Sequence, residues 1–394
     1  MPRRILYLSY YFEPDLGAGS FRNSSLVQKL QNQIQNDEEI YVIASTPNRY
    51  HKTEILAPLY EERGNIKIYR INVPQHSNGF IRQVISFMYY TVGIYKIVKN
   101  QKFDLVFAST SKLMTAYIAY RIAKPNKIPL FLDVRDLFAE NLMELIKIQP
   151  LAKPLSYFVK YFFEKPSFRY AAHINVNSEG FIPSLNYLNK TSISFYPNGI
   201  DDFFKGQSQN PDLPNFPKVI CYAGNIGEAQ GLDLIVPELA LNLGDSFQFK
   251  IIGDGSAIHK LKNKIEELNI QNVQVLEPVA RIKLLEHYSN CHYLFIHLND
   301  YKALNKVLPS KLFEYACFNV PIIAGVSGYA KEFMENHVKE NIYFFLPCNL
   351  SEALECFKYE YKSNIEREDF INKFDRNNIS EQLATLILNI FRKI

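Results

Sequence analysis

The chain has 394 residues, of which 47% are hydrophobic and 21% are charged. This length exceeds what one hydrophobic core usually serves, and the lack of repeats and low-complexity tracts excludes a repeat protein, so two globular domains are expected. The net charge of +4 conceals an asymmetry, because residues 1–200 carry +9 and residues 201–394 carry −5. A basic half usually meets an anionic partner, for which we expect a membrane surface or a lipid-linked diphosphate and no nucleic acid.

The opening of the chain predicts a buried strand rather than a targeting segment. The run MPRRILYLSYYFEPD is similar to a signal peptide, but Glu13 and Asp15 stand where a small-residue cleavage site would be needed. The longest charge-free stretch near the front, between Arg82 and Lys96, has 13 residues and is too short to span a bilayer. We expect a cytoplasmic protein, and the basic half allows a peripheral position on the inner face of the plasma membrane.

Strand-like and helical runs alternate along the first half of the chain. The predicted strands are RILYLSYY, EIYVIAST, IKIYRINV, DLVFAST, PLFLDV, HINVNS and SISFYP. This alternation is typical of a parallel sheet covered by helices on both faces. It stops in the stretch 196–218, whose Pro, Asn, Asp and Gln residues predict a linker.

A second alternation follows and predicts a second domain of the same class. Its predicted strands are VICYAGN, FQFKIIGDG, NVQVLEP, HYLFIHL and VPIIAG, and an amphipathic helix over 377–394 ends the chain. The sequence therefore predicts an α/β protein of two doubly wound, Rossmann-like domains, residues 1–197 and 198–376. Such domains bind ligands at the carboxyl ends of their strands, and two of them facing each other would form one deep cleft.

Two segments of the basic half, 81–100 and 151–170, mix basic and aromatic residues at helical spacing. One interpretation is a pair of amphipathic helices that lie on a membrane surface. The other is a pair of ordinary helices that face the core and extend their lysines to solvent. The sequence favours the two equally.

The loop after the first predicted strand contains Gly17 and Gly19 and is followed by Arg22. Glycines at this place let backbone N–H groups approach an anion at the start of a helix. The spacing G-x-G-x-x-R is not a dinucleotide fingerprint, and the second strand lacks the acidic residue that a ribose would need. We predict an anion or substrate loop, with a plain tight turn as the alternative.

Charged residues also gather where the strand PLFLDV ends, namely Asp133, Arg135, Asp136 and Glu140. Clusters beyond the carboxyl end of a parallel strand are often functional. The alternative is a structural ion pair between Arg135 and one of the aspartates.

The second half repeats one arrangement in CYAGNIGEAQGLDLI and IIGDGSAIHKL, a strand followed by a glycine loop and a helix start. Each can offer backbone donors to phosphate. Further on, KVLPSKLFEYACFNVPIIAG places Glu314 in an apolar helical stripe. A carboxylate there is costly unless something hydrogen-bonds it, so Glu314 is either a ligand-binding group or an ordinary surface residue.

Cysteine and histidine spacings do not predict a metal site. The five cysteines form no CxxC pattern and indicate inert thiols in a reducing cytoplasm. His292 and His297 are an odd number of residues apart on a predicted strand and face opposite sides. We expect neither a metal nor a cofactor.

Taken together, YPNGID, YAGNIGEAQGLD, IIGDG, NVQVLEPV and PSKLFEYACFNVPIIAG resemble glycosyltransferase family 4, the retaining glycosyltransferases of GT-B fold. Within that family, DVRDLFAE and AGNIGEAQGLD are similar to the subgroup that builds bacterial surface polysaccharides, including amino-sugar and deoxyamino-sugar transferases. The resemblance covers nearly the whole chain and is stronger in the second half. It implies a C-terminal helix that returns to the first domain.

The resemblance implies roles for particular residues. Glu314 would bind the ribose hydroxyls of the nucleotide, and the backbone N–H groups of Ser310 and Lys311 would contact the donor sugar. The other donor-side residues that it implies are Gly224, Asn225, Gly253, Gly255, Val279, Arg281 and Lys306. In the first domain, Asp133, Arg135 and Asp136 would be catalytic, and Gly17, Gly19 and Arg22 would form an acceptor or phosphate loop.

Two departures from the family pattern concern the donor site. Lys306 stands where the family has a glutamate that touches the donor sugar, and Asn225 and Gln230 stand where many members have an Arg and a Lys that hold the diphosphate. Positive charge for the leaving diphosphate would then come from Lys311 and Arg281. No DxD triplet is present, as is usual for a metal-independent GT-B site.

The implied function is transfer of a sugar, an N-acetylated or deoxyamino hexose, from a nucleoside diphosphate such as UDP to a lipid-linked or saccharide acceptor, in capsule or O-antigen synthesis. Such a site stabilises charge on the departing diphosphate, and helix N-termini and cations supply that. Two alternatives share the fold, a nucleotide-sugar epimerase and a non-catalytic scaffold that binds a nucleotide sugar.

Overall fold

A computed structural model of the chain describes residues 2–15, 17–47, 57–74, 80–110, 112–145, 149–359 and 367–393. The chain forms two compact units, Met1–Asn198 with Arg376–Ile394 and Gly199–Asp375. Each unit has its own mainly parallel sheet and its own hydrophobic core.

The strands of the first unit are β1 (Arg3–Ser9), β2 (Glu38–Ser45), β3 (Tyr60–Arg63), β4 (Ile66–Ile71), β5 (Leu105–Ser109), β6 (Leu130–Val134), β7 (His173–Val176) and β8 (Ser192–Phe195). They form one sheet in the order β3-β4-β2-β1-β5-β6-β7-β8. All neighbours are parallel except β3 and β4, which are antiparallel. The central strands β5 and β6 are fully buried and mainly apolar because helices cover both of their faces, and Asp133 near the end of β6 is the charged exception.

The helices of this unit are α1 (Ala18–Gln33), α2 (Phe80–Val98), α3 (Leu113–Ala123), α4 (Phe138–Leu145), α5 (Gln149–Val159) and α6 (Lys165–Tyr170). A π-helical turn, Lys160–Glu164, joins α5 to α6. The C-terminal helix (Arg376–Arg392) packs along α1 and buries Leu383, Ile387 and Phe391 in the same core. Arg392 donates to Glu38 at 2.7 Å, and this hydrogen bond lowers the pKa of Glu38.

The strands of the second unit are β9 (Lys218–Ala223), β10 (Phe247–Ile252), β11 (Val273–Leu276), β12 (Tyr293–His297), β13 (Ile322–Gly325) and β14 (Ile342–Phe345). They form a parallel sheet in the order β11-β10-β9-β12-β13-β14. The helices are α7 (Leu232–Leu243), α8 (Ile258–Glu267), α9 (Arg281–Ser289), α10 (Lys311–Tyr315), α11 (Gly328–His337), α12 (Leu350–Glu355) and α13 (Glu368–Lys373). The strand order reverses between β9 and β12, and the loops that leave these two strands diverge there, which is where doubly wound sheets bind ligands.

Candidate functional site

The loops that follow β9 and β10 approach each other at their first glycines. Gly224 has φ +141° and Gly253 has φ +149°, backbone conformations that other residues rarely adopt. A Cβ on Gly253 would overlap the carbonyl oxygen of Gly224, and one on Gly255 would overlap the backbone of Ile226. The N–H of Gly224 donates to Ile252 at 2.8 Å. These glycines therefore allow two strand ends to lie against each other.

Lys311, at the start of α10, lies over the end of β9. A Cβ on Gly224 would meet the Lys311 side chain, and the Lys311 ammonium lies 4.7 Å from the centre of the Tyr222 ring. An ammonium over a ring face is attracted by the ring's electrons, so Tyr222 helps to hold this charge at the carboxyl end of the strand.

Two buried tyrosines fix Glu314 and the short helix that bears it. The Tyr315 hydroxyl accepts the N–H of Ala223 at 3.0 Å and thereby ties α10 to the end of β9. The Tyr288 hydroxyl donates to Glu314 Oε2 at 3.2 Å. Burial, and then the negative charge of Glu314, raise the pKa of Tyr288. The expectation of an apolar surround for Glu314 is thus wrong in one respect, since a hydroxyl partners the half-buried carboxylate.

Asn225 and Gln230 shape the loop after β9. The Asn225 amide donates to the Gln230 side-chain oxygen at 2.7 Å, and the N–H of Gly227 donates to the same oxygen at 3.2 Å. The Tyr222 hydroxyl donates to the carbonyl of Asn225 at 2.5 Å. This loop brings no positive charge to the strand end, so the cation there is Lys311.

His297, which ends β12, anchors the same loop from the other strand. Its Nε2 accepts the N–H of Cys348 at 3.0 Å, so its Nδ1 carries the proton and donates to the carbonyl of Gln230 at 2.6 Å. Burial lowers the pKa of His297 to about 4, and the ring is neutral near pH 7. Asn299 adds a second link, because its amide donates to the carbonyl of Glu228 at 2.9 Å.

The remaining donor-side candidates lie around these loops. Arg281, the first residue of α9, pairs with Asp201 at 2.8 Å and stacks over Phe203, so an aspartate already balances its charge. Ser310 directly precedes α10, Lys306 ends the helical turn Lys302–Lys306, and Val279 is half-buried between β11 and α9.

In the first unit, Arg22 and Asp133 form a fully buried ion pair. The Arg22 guanidinium reaches both carboxylate oxygens of Asp133, at 2.9 and 3.0 Å, and also donates to the carbonyls of Tyr196 and Pro197. Asn175 donates to Asp133 at 2.7 Å. Asp133 is 0% exposed and Arg22 is 3% exposed. This geometry favours a structural role for both, and the guanidinium that hydrogen-bonds Asp133 is that of Arg22.

Arg135 and Asp136 stand just beyond β6. The backbone N–H of Arg135 donates to the Thr110 hydroxyl at 3.1 Å. Asp136 keeps partial exposure, and its desolvated surroundings raise its pKa to about 6. Nearby, the buried Glu164 accepts the N–H of Ala139 at the start of α4, and burial raises the pKa of Glu164 to about 7. Two carboxyl groups here thus titrate near neutral pH.

Gly17 and Gly19 lie at the start of α1. Gly17 precedes the helix in an extended conformation, and its carbonyl accepts the N–H of Phe21 at 3.0 Å. Gly19 is buried in the first turn, and its carbonyl accepts the Asn23 amide at 2.7 Å. The structure therefore places Gly19 on the helix itself, and the predicted loop is a helix start.

Comparison with known proteins agrees with the geometry of the second unit. Residues 204–374 match the family model described as Glycosyl transferases group 1, and this range fills nearly all of the unit Gly199–Asp375. Over nearly its whole length the second unit is therefore similar to the group 1 glycosyl transferases. The resemblance to glycosyltransferases that the motifs suggest is confirmed at this level.

One curated relative is the putative colanic acid biosynthesis glycosyl transferase WcaI of Escherichia coli, 35% identical over 104 residues. The match covers 26% of this chain and 25% of that protein.

Among solved structures, a sucrose-phosphate synthase from Thermosynechococcus elongatus has a TM-score of 0.75 at 12% identity and covers 100% of both chains. Anabaena HepE in complex with UDP and glucose gives 0.62 at 12% identity, over 98% of this chain and 100% of that one. WaaG, a glycosyltransferase involved in lipopolysaccharide biosynthesis, gives 0.60 at 13% identity, over 97% and 95%. At such identities the likeness shows the fold, and it confirms the predicted GT-B fold.

The sequence did not predict the internal anchors of the second unit, which are Tyr288, Tyr315, His297 and Asn299. Each acts through a contact between distant parts of the chain, and only the polar ending of HYLFIHLND offered a signal in the sequence. Within the part of the chain that the structure describes, no group of His, Cys, Asp and Glu side chains could hold a metal ion. Nor is any helix there long and apolar enough to cross a membrane.

Proposed function

We propose that this protein is a retaining glycosyltransferase of family 4 that takes its sugar from a nucleoside diphosphate, with UDP as the first candidate. The observation that carries the proposal is the position of α10, which bears Lys311 and Glu314. Its Tyr315 is bonded to Ala223 at the end of β9, and its Lys311 side chain lies against Gly224. HepE, of the same fold, is described in complex with UDP and with UDP-glucose. That description supports a nucleotide-sugar donor for this chain.

In this proposal each group has a separate task. The Glu314 carboxylate accepts the ribose hydroxyls, while the Tyr288 hydroxyl holds that carboxylate in place. The Lys311 ammonium and the backbone N–H groups of the two glycine loops stabilise the charge that grows on the leaving diphosphate. Asn225 and Gln230 hold the loop without adding charge, so Lys311 contributes a larger share of the stabilisation of the diphosphate charge.

The acceptor side is assigned to the first unit. We propose that Asp136 orients the acceptor hydroxyl, because its raised pKa keeps a fraction of it protonated near neutral pH. The buried Arg22–Asp133 pair positions the loop that bears Arg135 and Asp136. The relatives named for colanic acid and lipopolysaccharide synthesis support a bacterial surface polysaccharide as the product. A lipid-linked acceptor would place the protein at the membrane surface.

The test begins with nucleotide sugars screened by thermal stabilisation, since a ligand at 100 times its Kd adds about 2.7 kcal/mol to the free energy of unfolding. The stabilising donor is then supplied with labelled sugar and a lipid-linked acceptor. Label in the acceptor, with the anomeric configuration of the donor kept, supports the proposal. Interconversion of the sugar without an acceptor would instead show an epimerase, and binding without turnover a scaffold.

A further inference from the structure

The outer face of α2 is apolar and exposed. The helix already buries Ser86, Tyr90 and Ile94 against the first sheet, so its inner face is satisfied. On the outside it exposes a second apolar stripe, in which Met88 is 61% exposed. That stripe consists of Val84, Ile85, Met88, Tyr89, Val92 and Tyr95. A helix that is apolar on both faces normally has a partner on both.

A second exposed stripe runs along α5 and the π-helical turn that follows it. Phe162 is 61% exposed and Tyr157 is 59% exposed, and their rings pack against Phe158 and Tyr161 of the same helix rather than against a core. The stripe consists of Leu155, Tyr157, Phe158, Tyr161 and Phe162. Both basic–aromatic segments therefore bury one side, as the core-facing interpretation predicts, and each also exposes an apolar stripe that this interpretation does not explain.

Helix α3 connects the two stripes into one surface. Lys112, just before α3, donates to Gln83 of α2 at 3.3 Å. On the other side, the Tyr117 ring of α3 contacts the Phe163 ring at 4.8 Å in the π-helical turn. We call the outward side of α2, α3 and the helical stretch from α5 to α6 the aromatic face.

The charge of the aromatic face limits what can cover it. The three helical stretches 80–98, 113–123 and 149–170 contain seven Lys or Arg and one carboxylate, Glu164, which is buried. Some of these cations lie over rings of the same surface, Lys165 at 4.0 Å from the centre of the exposed Tyr161 ring and Arg121 at 5.9 Å from that of the half-buried Tyr117. A second copy of the chain would bring like charges together, which disfavours a dimer through this face.

We infer that the aromatic face inserts into the headgroup region of an anionic lipid bilayer. Exposed apolar side chains, tyrosines and flanking lysines are the composition of helices that lie in a membrane interface. Because the apolar side chains are exposed, binding gains from their insertion and not from charge attraction alone. It should therefore persist in part at about 1 M NaCl, where the Debye length is about 3 Å. This inference does not rest on the proposed sugar transfer.

The chain contains no tryptophan, which makes a direct test simple. Met88→Trp on α2 and Phe162→Trp near α5 each introduce a single reporter, and Leu241→Trp, on an exposed position of α7, is the matched control. On vesicles of phosphatidylcholine and phosphatidylglycerol, both face reporters should shift to the blue and be quenched by brominated lipid. The control should change in neither respect.

Sedimentation with the same vesicles gives the second measurement. Met88→Glu combined with Phe162→Glu should lower the partition coefficient about tenfold or more, and Leu241→Glu should leave it unchanged. Face reporters that stay unshifted, or wild-type binding that vanishes at about 1 M NaCl, would overturn the insertion. So would a dimer that Met88→Glu dissociates in the absence of lipid, because it would identify a second copy as the partner. None of these assays contains a nucleotide, so their failure would not bear on the donor site.

Discussion

Glu314 offers the sharpest test of the donor site, because two different changes separate its ligand role from its structural one. Glu314→Ala removes the carboxylate from both the nucleotide and the Tyr288 hydroxyl. Glu314→Gln keeps the shape and one acceptor oxygen. Tyr288→Phe removes the buried hydroxyl that donates to Glu314 at 3.2 Å and leaves the carboxylate in place.

The expected size of the binding effect follows from the hydrogen bonds that are lost. Two ribose hydroxyls donating to one carboxylate contribute about 1.5–3 kcal/mol each, so Glu314→Ala should weaken nucleotide binding about a hundredfold or more. Glu314→Gln should fall between the wild type and Glu314→Ala. Tyr288→Phe should retain most of the affinity, because it leaves the carboxylate that would accept the ribose hydroxyls in place.

Stability should respond in a different order. Glu314→Ala leaves the hydroxyl of Tyr288, a fully buried residue, without this acceptor, so the free energy of unfolding should fall by about 1–3 kcal/mol. A simple apolar surround for Glu314 would have predicted a neutral or stabilising change. Glu314→Gln still offers an oxygen to Tyr288, and its stability should stay close to that of the wild type.

Calorimetric titration of UDP into the wild type and the three variants, with urea unfolding of each, measures both quantities. Equal affinities in all four proteins would refute the assignment of Glu314 to the nucleotide and weaken the donor site as a whole. A loss of affinity in Tyr288→Phe as large as in Glu314→Ala would show that the carboxylate acts only through the fold.

Three further outcomes are expected. Lys311→Met should weaken UDP binding about tenfold or more while leaving uridine binding unchanged, because it removes charge only from the diphosphate, and exposed Lys262→Met is the control for calorimetry. Asp133→Asn should lower the free energy of unfolding, measured with urea, by about 3–5 kcal/mol, because it leaves the buried Arg22 guanidinium without its carboxylate. A variant as stable as the wild type would contradict the buried ion pair. Because the pKa of Glu164 is raised to about 7, its protonated form favours the folded state, and this contribution to stability is full below the usual pKa of 4.5 and is lost as pH rises through about 7. Glu164→Gln should therefore flatten the pH dependence of the urea midpoint in that window. An unchanged slope would assign the pH dependence to other groups.

Much of the fold could be predicted because its strands are buried on both faces and read as continuous apolar runs. Two of the four edge strands, β3 and β14, were not predicted. Strand β3 has the sequence YEER and is mostly exposed, so no apolar pattern marks it. Strand β14 is aromatic and only partly buried, and its run IYFF lies between two loops without a clear alternation. Edge strands face solvent on one side, and the sequence signal weakens accordingly.

The donor loops were predictable and their partners were not. Gly224 and Gly253 could be identified from the sequence, since a strand followed by glycine and a helix start is a local pattern. The contacts that give Glu314 and Asp133 their surroundings join residues that are 26 and 111 positions apart, Tyr288 and Arg22 respectively. Residue type alone does not tell which partner a carboxylate meets in the fold, because either a hydroxyl or an arginine can offset the cost of removing it from water.

For the two basic–aromatic segments, hydrophobic periodicity predicts helices but does not predict which side of each helix is buried. Apolar residues lie on both sides of α2, so their spacing does not predict which side packs against the sheet. In the structure the buried side is the one that bears Tyr90 and Ile94. Once that side is occupied, the outer stripe has no core left to join within its own unit. Charge separates the partners that we consider: the three helical stretches of this surface contain seven Lys or Arg and one carboxylate, the buried Glu164, which disfavours a second copy and favours an anionic partner. The charge asymmetry of the sequence and the exposure of the aromatic residues thus lead to the same partner by independent physical routes.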